Sequence, residues 1–445
     1  MKKVLILGAG LSTNSLIDYL LNNAVEFDWH IIVADIDEEV ARRKVNGHKS
    51  GSAKIFDIND DTESWRTIAD VDVVISMLPA SMHHLVADKC IDLRKPMLTA
   101  SYATDEIKAL NEKAKIAGIP IYMELGLDPG IDHMSAMNVI DRIKESGDEL
   151  TSFYSFTGGL VAPEYDNNPW NYKFTWNPRN VVLAGNGVSQ FIHHGRYKYI
   201  PYHRLFDRVM SRKILQYGDF EVYANRDSLK YRSIYKIDDI PSMYRGTIRR
   251  PGFSKAWNVF VRLGMTEDNY IIEDSENMTY RQFLNSFLRY DPDIPVEIKL
   301  KQYCQNASDP VVMKKLVWLG IFDDRKVGLK KATPAQILQK LLIEKWSMDP
   351  DDKDMIIMQH EFKYRTNGIE KMIISAMAVI GKDQNETAMA ITVGLPLAIA
   401  TKLLLTGKIK HTGITLPVEK EIYKPILSEL ETFGIAFEEN EYMIG

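Results

Sequence analysis

Short apolar runs alternate with amphipathic stretches over the first quarter of the chain, and this alternation sets the fold class. Val4–Leu7 is continuously apolar and predicts a buried strand, after which Leu16, Ile17, Leu20 and Leu21 recur at helical spacing. Apolar runs at Ile31–Ala34, Val71–Ser76, Met97–Thr99 and Ile119–Tyr122 predict further strands, with a helix over Ile107–Ala117 between the last two. Strand, helix, strand in this rhythm predicts an α/β domain built on a doubly wound parallel sheet. The rhythm changes after Gly130. From 151 to about 275 aromatics, Pro and Gly are frequent, and Phe153–Phe156 and Phe220–Tyr223 predict strands of a mixed or antiparallel sheet. Residues 279–349 read as helical, from Phe283, Phe287 and Leu288 and from Leu338, Leu341 and Leu342. A strand is predicted over Asp354–Tyr364, and the last 60 or so residues read helix, loop, helix.

Composition narrows the function classes. A chain of 445 residues is too long for one core. Its 45% hydrophobic and 26% charged residues suit a globular enzyme. A net charge of -5 advertises no basic surface, so neither nucleic acid nor an anionic membrane is expected as a partner. Cys90 and Cys304 lie far apart and form neither a disulfide framework nor a metal-ligand spacing, so a reducing, cytoplasmic setting is expected. His83-His84 and His193-His194 have no carboxylate or cysteine at ligand spacing, and no metal is assigned. Glycines interrupt the first apolar run at once, so no signal peptide is read. No apolar stretch is read as long enough to span a bilayer; Ile391–Leu405, with Gly394, Pro396 and Lys402, reads as a buried helix.

The chemistry begins at Gly8-Ala9-Gly10-Leu11-Ser12-Thr13, between the first strand and the first helix. Gly8 permits a tight turn, Gly10 lets the backbone approach a pyrophosphate, and the helix N-terminus offers free N–H groups. Thr13 replaces the third glycine of the usual fingerprint. Asp35 stands about twenty residues on, where a carboxylate accepts from an adenine-ribose 2′-hydroxyl and repels a 2′-phosphate. NAD is therefore expected over NADP. The competing reading is that Asp35 or Asp37 caps the helix beginning near Glu38.

The stretch Glu124-Leu125-Gly126-Leu127-Asp128-Pro129-Gly130-Ile131-Asp132-His133 closely resembles the signature of saccharopine dehydrogenases. Other blocks agree in order: Val74-Ile75-Ser76-Met77-Leu78-Pro79, Thr99-Ala100-Ser101-Tyr102, Gly158-Gly159-Leu160, Asn225-Arg226-Asp227-Ser228, Arg245-Gly246-Thr247 and Trp318-Leu319-Gly320-Ile321-Phe322. The resemblance spans nearly the whole chain, both to a free-standing fungal enzyme and to the dehydrogenase half of a plant and animal bifunctional protein. It implies NAD(P)-dependent oxidation of L-saccharopine to L-glutamate and 2-aminoadipate 6-semialdehyde, or the reverse, in lysine metabolism. It also implies a homodimer and three domains. These are a Rossmann-like domain at 1–127 with a C-terminal return at about 385–445, a mixed-sheet substrate and dimer domain at 128–275 plus about 352–384, and a helical lid domain at 276–351.

The resemblance further implies cofactor contacts at Ala9 to Ser12, Ala34, Asp35, Asp57, Ile58, Leu78, Ala100, Ser101, Leu127, Asp128, Pro129 and Thr175. Substrate contacts would fall on Ser101, Tyr102, Asp128, Arg226, Arg245, Gly246 and Thr247. Thr157 stands where relatives often carry cysteine, so a thiol relay is absent. Physically, Arg226 and Arg245 suit a substrate with three carboxylates, because a guanidinium binds a carboxylate bidentately. Unaided by the family match, Arg226 reads as a loop cation paired with Asp227. At least one of Arg249 and Arg250 is expected to be a solvated charge. Asp128 would draw an ammonium group, its turn before Pro129-Gly130 fixing its direction. Tyr102 and Asp128 are the candidates for proton transfer, and His133 reads as a structural hydrogen-bonding residue. Two alternatives stay open: a carboxynorspermidine synthase-like imine oxidoreductase, and a dinucleotide-binding sensor that has lost catalysis.

Overall fold

In the computed structural model, which describes residues 1–444, β1 (Lys2–Leu7) carries the Val4–Leu7 run, and all four side chains are fully buried. A strand buried on both faces belongs at the middle of a parallel sheet. The partners β2 (Trp29–Asp35), β3 (Gly51–Ile55), β4 (Val73–Ser76), β5 (Met97–Leu98) and β6 (Pro120–Tyr122) join it in the order β6-β5-β4-β1-β2-β3. Every pairing is parallel. The order reverses at β1, which opens a crevice at the carboxyl ends of the strands where dinucleotides bind in such sheets. Leu5, Leu7, Val74, Val86, Met97 and Ile121 share one core cluster there, each contributing about 1.5–3 kcal/mol over exposure. The helix read over Ile107–Ala117 is two, Asp105–Ala109 and Asn111–Ala117, the first capped by the Thr104 side chain.

Two compact units divide the chain: Met1–Asp148 with Met377–Glu438, and Glu149–Ala376 with Glu439–Gly445. The second holds a mixed sheet, as the aromatic alternation predicts. Its strands β7 (Glu149–Val161), β8 (Val188–His193), β9 (Arg196–Pro201), β10 (Val209–Lys213), β11 (Asp219–Ala224), β12 (Ser242–Arg249), β13 (Asp354–Thr366) and β14 (Ile369–Ile380) run in the order β10-β11-β12-β7-β13-β14, with β8 attached at β12 and β9 paired to β8. β12 runs parallel to β7, whereas β11 and β13 are antiparallel to their neighbours β12 and β7. The helical stretch expected as a separate domain at 276–351 lies within this unit. Trp346, at the end of the helix Pro334–Trp346, packs its ring against Trp170, Tyr172 and Trp257, with centroids 5.0–6.0 Å apart.

The C-terminal return completes the first unit. The helix Ala388–Leu405 is 18 residues long and, by length and composition alone, could cross a membrane. This corrects the sequence reading of its length; its burial, 72% of the window, is what marks it as a core helix. A Cβ at Gly394 would lie 2.7 Å from the Leu16 backbone nitrogen, so glycine lets this helix press against the helix Asn14–Ala24. β15 (Gly413–Thr415) then adds a seventh strand parallel to β6, and β16 (Glu438–Met443) lies beside β14 in the second sheet. Neither strand was expected: β15 is too short to show a period, and every residue of β16 is exposed.

Candidate active site

Gly8 has φ +97, and a Cβ there would lie 2.8 Å from the Met77 carbonyl oxygen, so only glycine fits between β1 and the exit of β4. Gly10 is different. A Cβ on it would meet nothing within 4 Å, and neighbouring Leu11 is 75% exposed. The turn Leu11–Thr13 leads straight into the helix Asn14–Ala24. The cradle beside Gly10 at a helix N-terminus fits a diphosphate. Thr13, in the place of a third glycine, is buried, and its hydroxyl donates to the Gly10 carbonyl at 2.8 Å, closing the turn with a side chain.

Asp35 ends β2, and its carboxylate ties the loop to that strand: the Ala9 N–H donates to Oδ2 at 2.7 Å and the Asp37 N–H to Oδ1 at 3.1 Å. A carboxylate can accept about four hydrogen bonds, so capacity remains for a ribose. The helix-capping role weighed for these acids falls to Asp37, which accepts from the Glu39 N–H at 3.0 Å. Ala34 pairs with Leu7 of β1, and Asp57 and Ile58 follow the end of β3. Leu78 follows β4, and Ala100 and Ser101 follow β5. The predicted cofactor residues of the first unit thus collect at the carboxyl edge of its sheet. Thr175 belongs to the second unit, where its hydroxyl is buried without a partner.

The Tyr102 hydroxyl donates to Asp128 Oδ1 at 2.8 Å. Two loops carry this pair and are stitched together. The Glu124 N–H donates to the Ser101 carbonyl at 3.0 Å and the Leu125 N–H to that of Thr99 at 3.1 Å. Leu127 and Pro129 flank Asp128 as buried residues, and the Asp128–Pro129 peptide is cis. Behind them lies the structural hydrogen bond expected of His133, to a buried partner, Glu124, that the sequence reading did not single out. Glu124, at φ +61 and 2% exposed, accepts the Ala103 N–H at 3.0 Å on Oε1 and bonds His133 Nε2 at 2.7 Å through Oε2. Asp132 lies 3.4 Å from His133 Nδ1 and accepts the Gly130 N–H at 2.6 Å. His133 is fully buried in this network, which fastens the Tyr102 loop to the Asp128 loop.

In the second unit, β12 places Arg245, Thr247 and Arg249 on one face, since side chains on a strand alternate. Thr157 of β7 stands beside Thr247, and Tyr223 of β11 lies opposite it. Arg249 corrects the expectation of a solvated charge. It is 4% exposed, ringed by Tyr172, Tyr223 and Phe253 at 5.1–5.8 Å, and has no ion pair among the described residues. Its Nη1 donates to the Ile248 carbonyl at 2.8 Å, while its Nε, the Tyr172 hydroxyl and the Thr157 hydroxyl are buried without partners. Arg250 is not merely solvated either, since it is half-buried and donates to the Tyr217 carbonyl at 2.8 Å. Arg245 stacks over Tyr231 at 4.3 Å. Arg226, exposed on the loop after β11, does not pair with Asp227, whose carboxylate instead accepts the Leu229 N–H at 2.8 Å. Gly246 faces the other side, where a Cβ would lie 2.4 Å from Val222, and it is buried between Ala224 of β11 and Phe156 of β7, so of the predicted substrate residues on β12 only Arg245 and Thr247 present side chains to this face. Among the described residues no cluster of three or more His, Cys, Asp or Glu side chains could hold a metal ion.

The family model described as "Saccharopine dehydrogenase NADP binding domain" matches residues 4–121, and that described as "Saccharopine dehydrogenase C-terminal domain" matches residues 126–435. The chain belongs to the saccharopine dehydrogenase family. Within that family, the saccharopine dehydrogenase [NADP(+), L-glutamate-forming] of Saccharomyces cerevisiae is 33% identical, over 98% of this chain and 99% of that one. The alpha-aminoadipic semialdehyde synthases of Arabidopsis thaliana and Mus musculus are each 34% identical, and the chain spans only 44% and 47% of their lengths. The apo saccharopine dehydrogenase (L-Glu forming) structure from Saccharomyces cerevisiae superposes with a TM-score of 0.89 at 31% identity, covering 99% of this chain and all of that one. The homospermidine synthase of Legionella pneumophila, at TM-score 0.54 and 10% identity, shares the fold. The α/β class, with its parallel Rossmann-like sheet and second mixed sheet, agrees with these matches.

Proposed function

We propose that this saccharopine dehydrogenase family member is an oxidoreductase that converts L-saccharopine to L-glutamate and 2-aminoadipate 6-semialdehyde, or the reverse, in lysine metabolism. The observation that carries the reading is the arginine-bearing face of the second unit. Saccharopine has three carboxylates. Arg249, buried without a counter-ion, and Arg226, left unpaired by Asp227, are guanidinium forks suited to them, with Arg245 two positions before Thr247 on the same strand face. The cross-strand neighbour of Arg249, Glu221, is taken up by the Gly252 and Ser254 N–H groups, and a buried cation without an ion-paired acid costs several kcal/mol unless a ligand supplies the negative charge.

The cradle at Gly10 and the carboxyl edge around it suit a nicotinamide dinucleotide. When bound, that group accepts the hydride. The chain's own residues bind, orient and move protons. Asp128 carries the charge that draws the substrate's amine in its ammonium form, and the Tyr102 hydroxyl bonded to it is placed to pass a proton during imine hydration. Loops stitched by Glu124 and His133 hold the pair in line. At the ribose end Asp35 favours NAD, in contrast to the fungal relatives whose names carry NADP(+). A homodimer and a cytoplasmic setting belong to the same proposal. The first rests on the family resemblance and is checked by sedimentation; the second is supported by the buried free thiols of Cys90 and Cys304 and is checked by fractionation.

The deciding experiment mixes the protein with L-saccharopine and follows reduced cofactor, with NAD and NADP in parallel. Glutamate formed with NADH supports both parts. Turnover with NADP alone keeps the reaction and overturns the Asp35 argument. Dinucleotide binding with no turnover favours a different imine substrate or a silent sensor. Asp35→Ala should narrow the NAD preference by about tenfold, the worth of a hydrogen bond to a charged group; unchanged discrimination removes Asp35 from that role.

A further inference from the structure

Three polar residues far apart in sequence form a continuous chain at the carboxyl edge of the first sheet. Ser76 is the last residue of β4, His83 opens the helix His83–Asp92, and Ser101 follows β5. Ser76 Oγ lies 2.8 Å from His83 Nδ1, and His83 Nε2 lies 2.7 Å from Ser101 Oγ. Ser76 and His83 are buried, 0% and 1% exposed, whereas Ser101 is half-buried. The chain therefore starts in the core and surfaces at a residue expected to touch ligand. An apolar side chain would fill the core end without burying polar atoms, so filling space does not account for the imidazole.

We propose that His83 is a positioning residue: by donating from Nε2 to Ser101 Oγ, it turns the Ser101 hydrogen outward to bond a substrate carboxylate. The inference rests on the saccharopine reading above. Burial, with His84 adding to it, pushes the His83 pKa down to about 4, so the ring is neutral near pH 7. A neutral imidazole has one donor nitrogen and one acceptor. With the proton on Nε2, Ser76 donates to Nδ1, His83 donates to Ser101, and Ser101 can only donate outward. With the proton on Nδ1, every bond reverses and Ser101 presents lone pairs instead. Hydroxyls at both ends fit either setting, so the group outside Ser101 selects between them. A carboxylate only accepts, and selects the first. Bonds aligned head to tail also polarise and strengthen one another.

Two measurements test this. In ¹⁵N-histidine-labelled protein with excess L-glutamate as the carboxylate ligand, His83 should be the Nε2–H tautomer; an Nδ1–H tautomer overturns the proposal. In kinetics, H83L should raise the saccharopine KM by about tenfold, one hydrogen bond to a charged group, with kcat within about twofold. If His83 acts only through Ser101, H83L added to S101A should change nothing further, whereas independent effects overturn the positioning role. H83Q, whose amide N–H reaches toward the Nε2 position, should recover most of the lost affinity. Equal KM values for H83Q and H83L count against the proposal. Wild-type turnover separates the two claims: absence of saccharopine turnover with an Nε2–H ring sinks the function and leaves the hydroxyl orientation, while turnover with additive effects does the reverse.

Discussion

Replacing Arg249 with methionine should abolish tight substrate binding while leaving the fold nearly as stable as before. The guanidinium is 4% exposed, one nitrogen bonds the Ile248 carbonyl, and Nε has no partner. Desolvating the charge costs several kcal/mol, and the orphaned Nε adds about 1–3 kcal/mol. Against this stand three rings at 5.1–5.8 Å, each worth about 0.5–2 kcal/mol. The two sides nearly cancel, so the methionine variant, which keeps the volume, should unfold within about 1 kcal/mol of the wild type. Truncating a large buried side chain with no such burden costs about 2–5 kcal/mol. Loss of a charge-assisted fork to a carboxylate should cost about 3 kcal/mol of binding, or roughly a hundredfold in KM. The assay pairs denaturation of both proteins, with and without saccharopine, with steady-state kinetics. Ligand should raise the wild-type midpoint and leave that of the variant where it was. A variant that loses 3 kcal/mol or so of stability yet keeps its KM would refute the reasoning, because Arg249 would then be a structural cation held by its aromatic cage.

Tyr102→Phe deletes the hydroxyl on Asp128 and should lower kcat by about a hundredfold with dinucleotide affinity unchanged; a loss below about threefold excludes Tyr102 from proton transfer. Gly10→Ala puts a methyl into the cradle, where it meets no protein atom, so stability should hold while dinucleotide binding, read by fluorescence, weakens at least about tenfold. Gly8→Ala should instead destabilise by about 2 kcal/mol, from its φ of +97 and the approach to the Met77 carbonyl, and equal stability of the two variants would contradict both assignments. His83 titrates at about 4 in the folded state and near 6.5 when unfolded, so the unfolded chain binds more protons in between. Stability should therefore fall with pH from about 6.5 down to 4, by roughly 3 kcal/mol at about 1.4 kcal/mol per unit. H83Q should remove that part of the slope in a pH series of melting curves; an identical slope shows that other groups cause it.

What could be read from the sequence was whatever neighbours along the chain decide together. A strand, a glycine turn and an amphipathic helix in succession specify the dinucleotide loop, and Asp35 follows at the spacing the sheet requires, so that region was legible. The Asn367-Gly368 pair, both residues at positive φ between β13 and β14, is a hairpin signal that would have located β14 had it been used. Arg249 was likewise within reach. Arg245, Thr247 and Arg249 keep a period of two, and a strand at 242–249 forces all three onto one face, which rules out treating Arg249 as an unrelated surface charge. The Ser76–His83–Ser101 chain and the Glu124–His133 contact differ in kind. Their members lie 7, 18 and 9 residues apart and meet only because strand ends and loops converge at one edge of a sheet. No local period encodes that convergence. Burial would favour apolar residues at these positions, so a polar network kept there by both ends of every bond carries a constraint that packing does not impose. Ser101 links one such network to the surface and Glu124 links the other to the Tyr102 loop, which places the unread part of the sequence directly behind the residues proposed to do the chemistry.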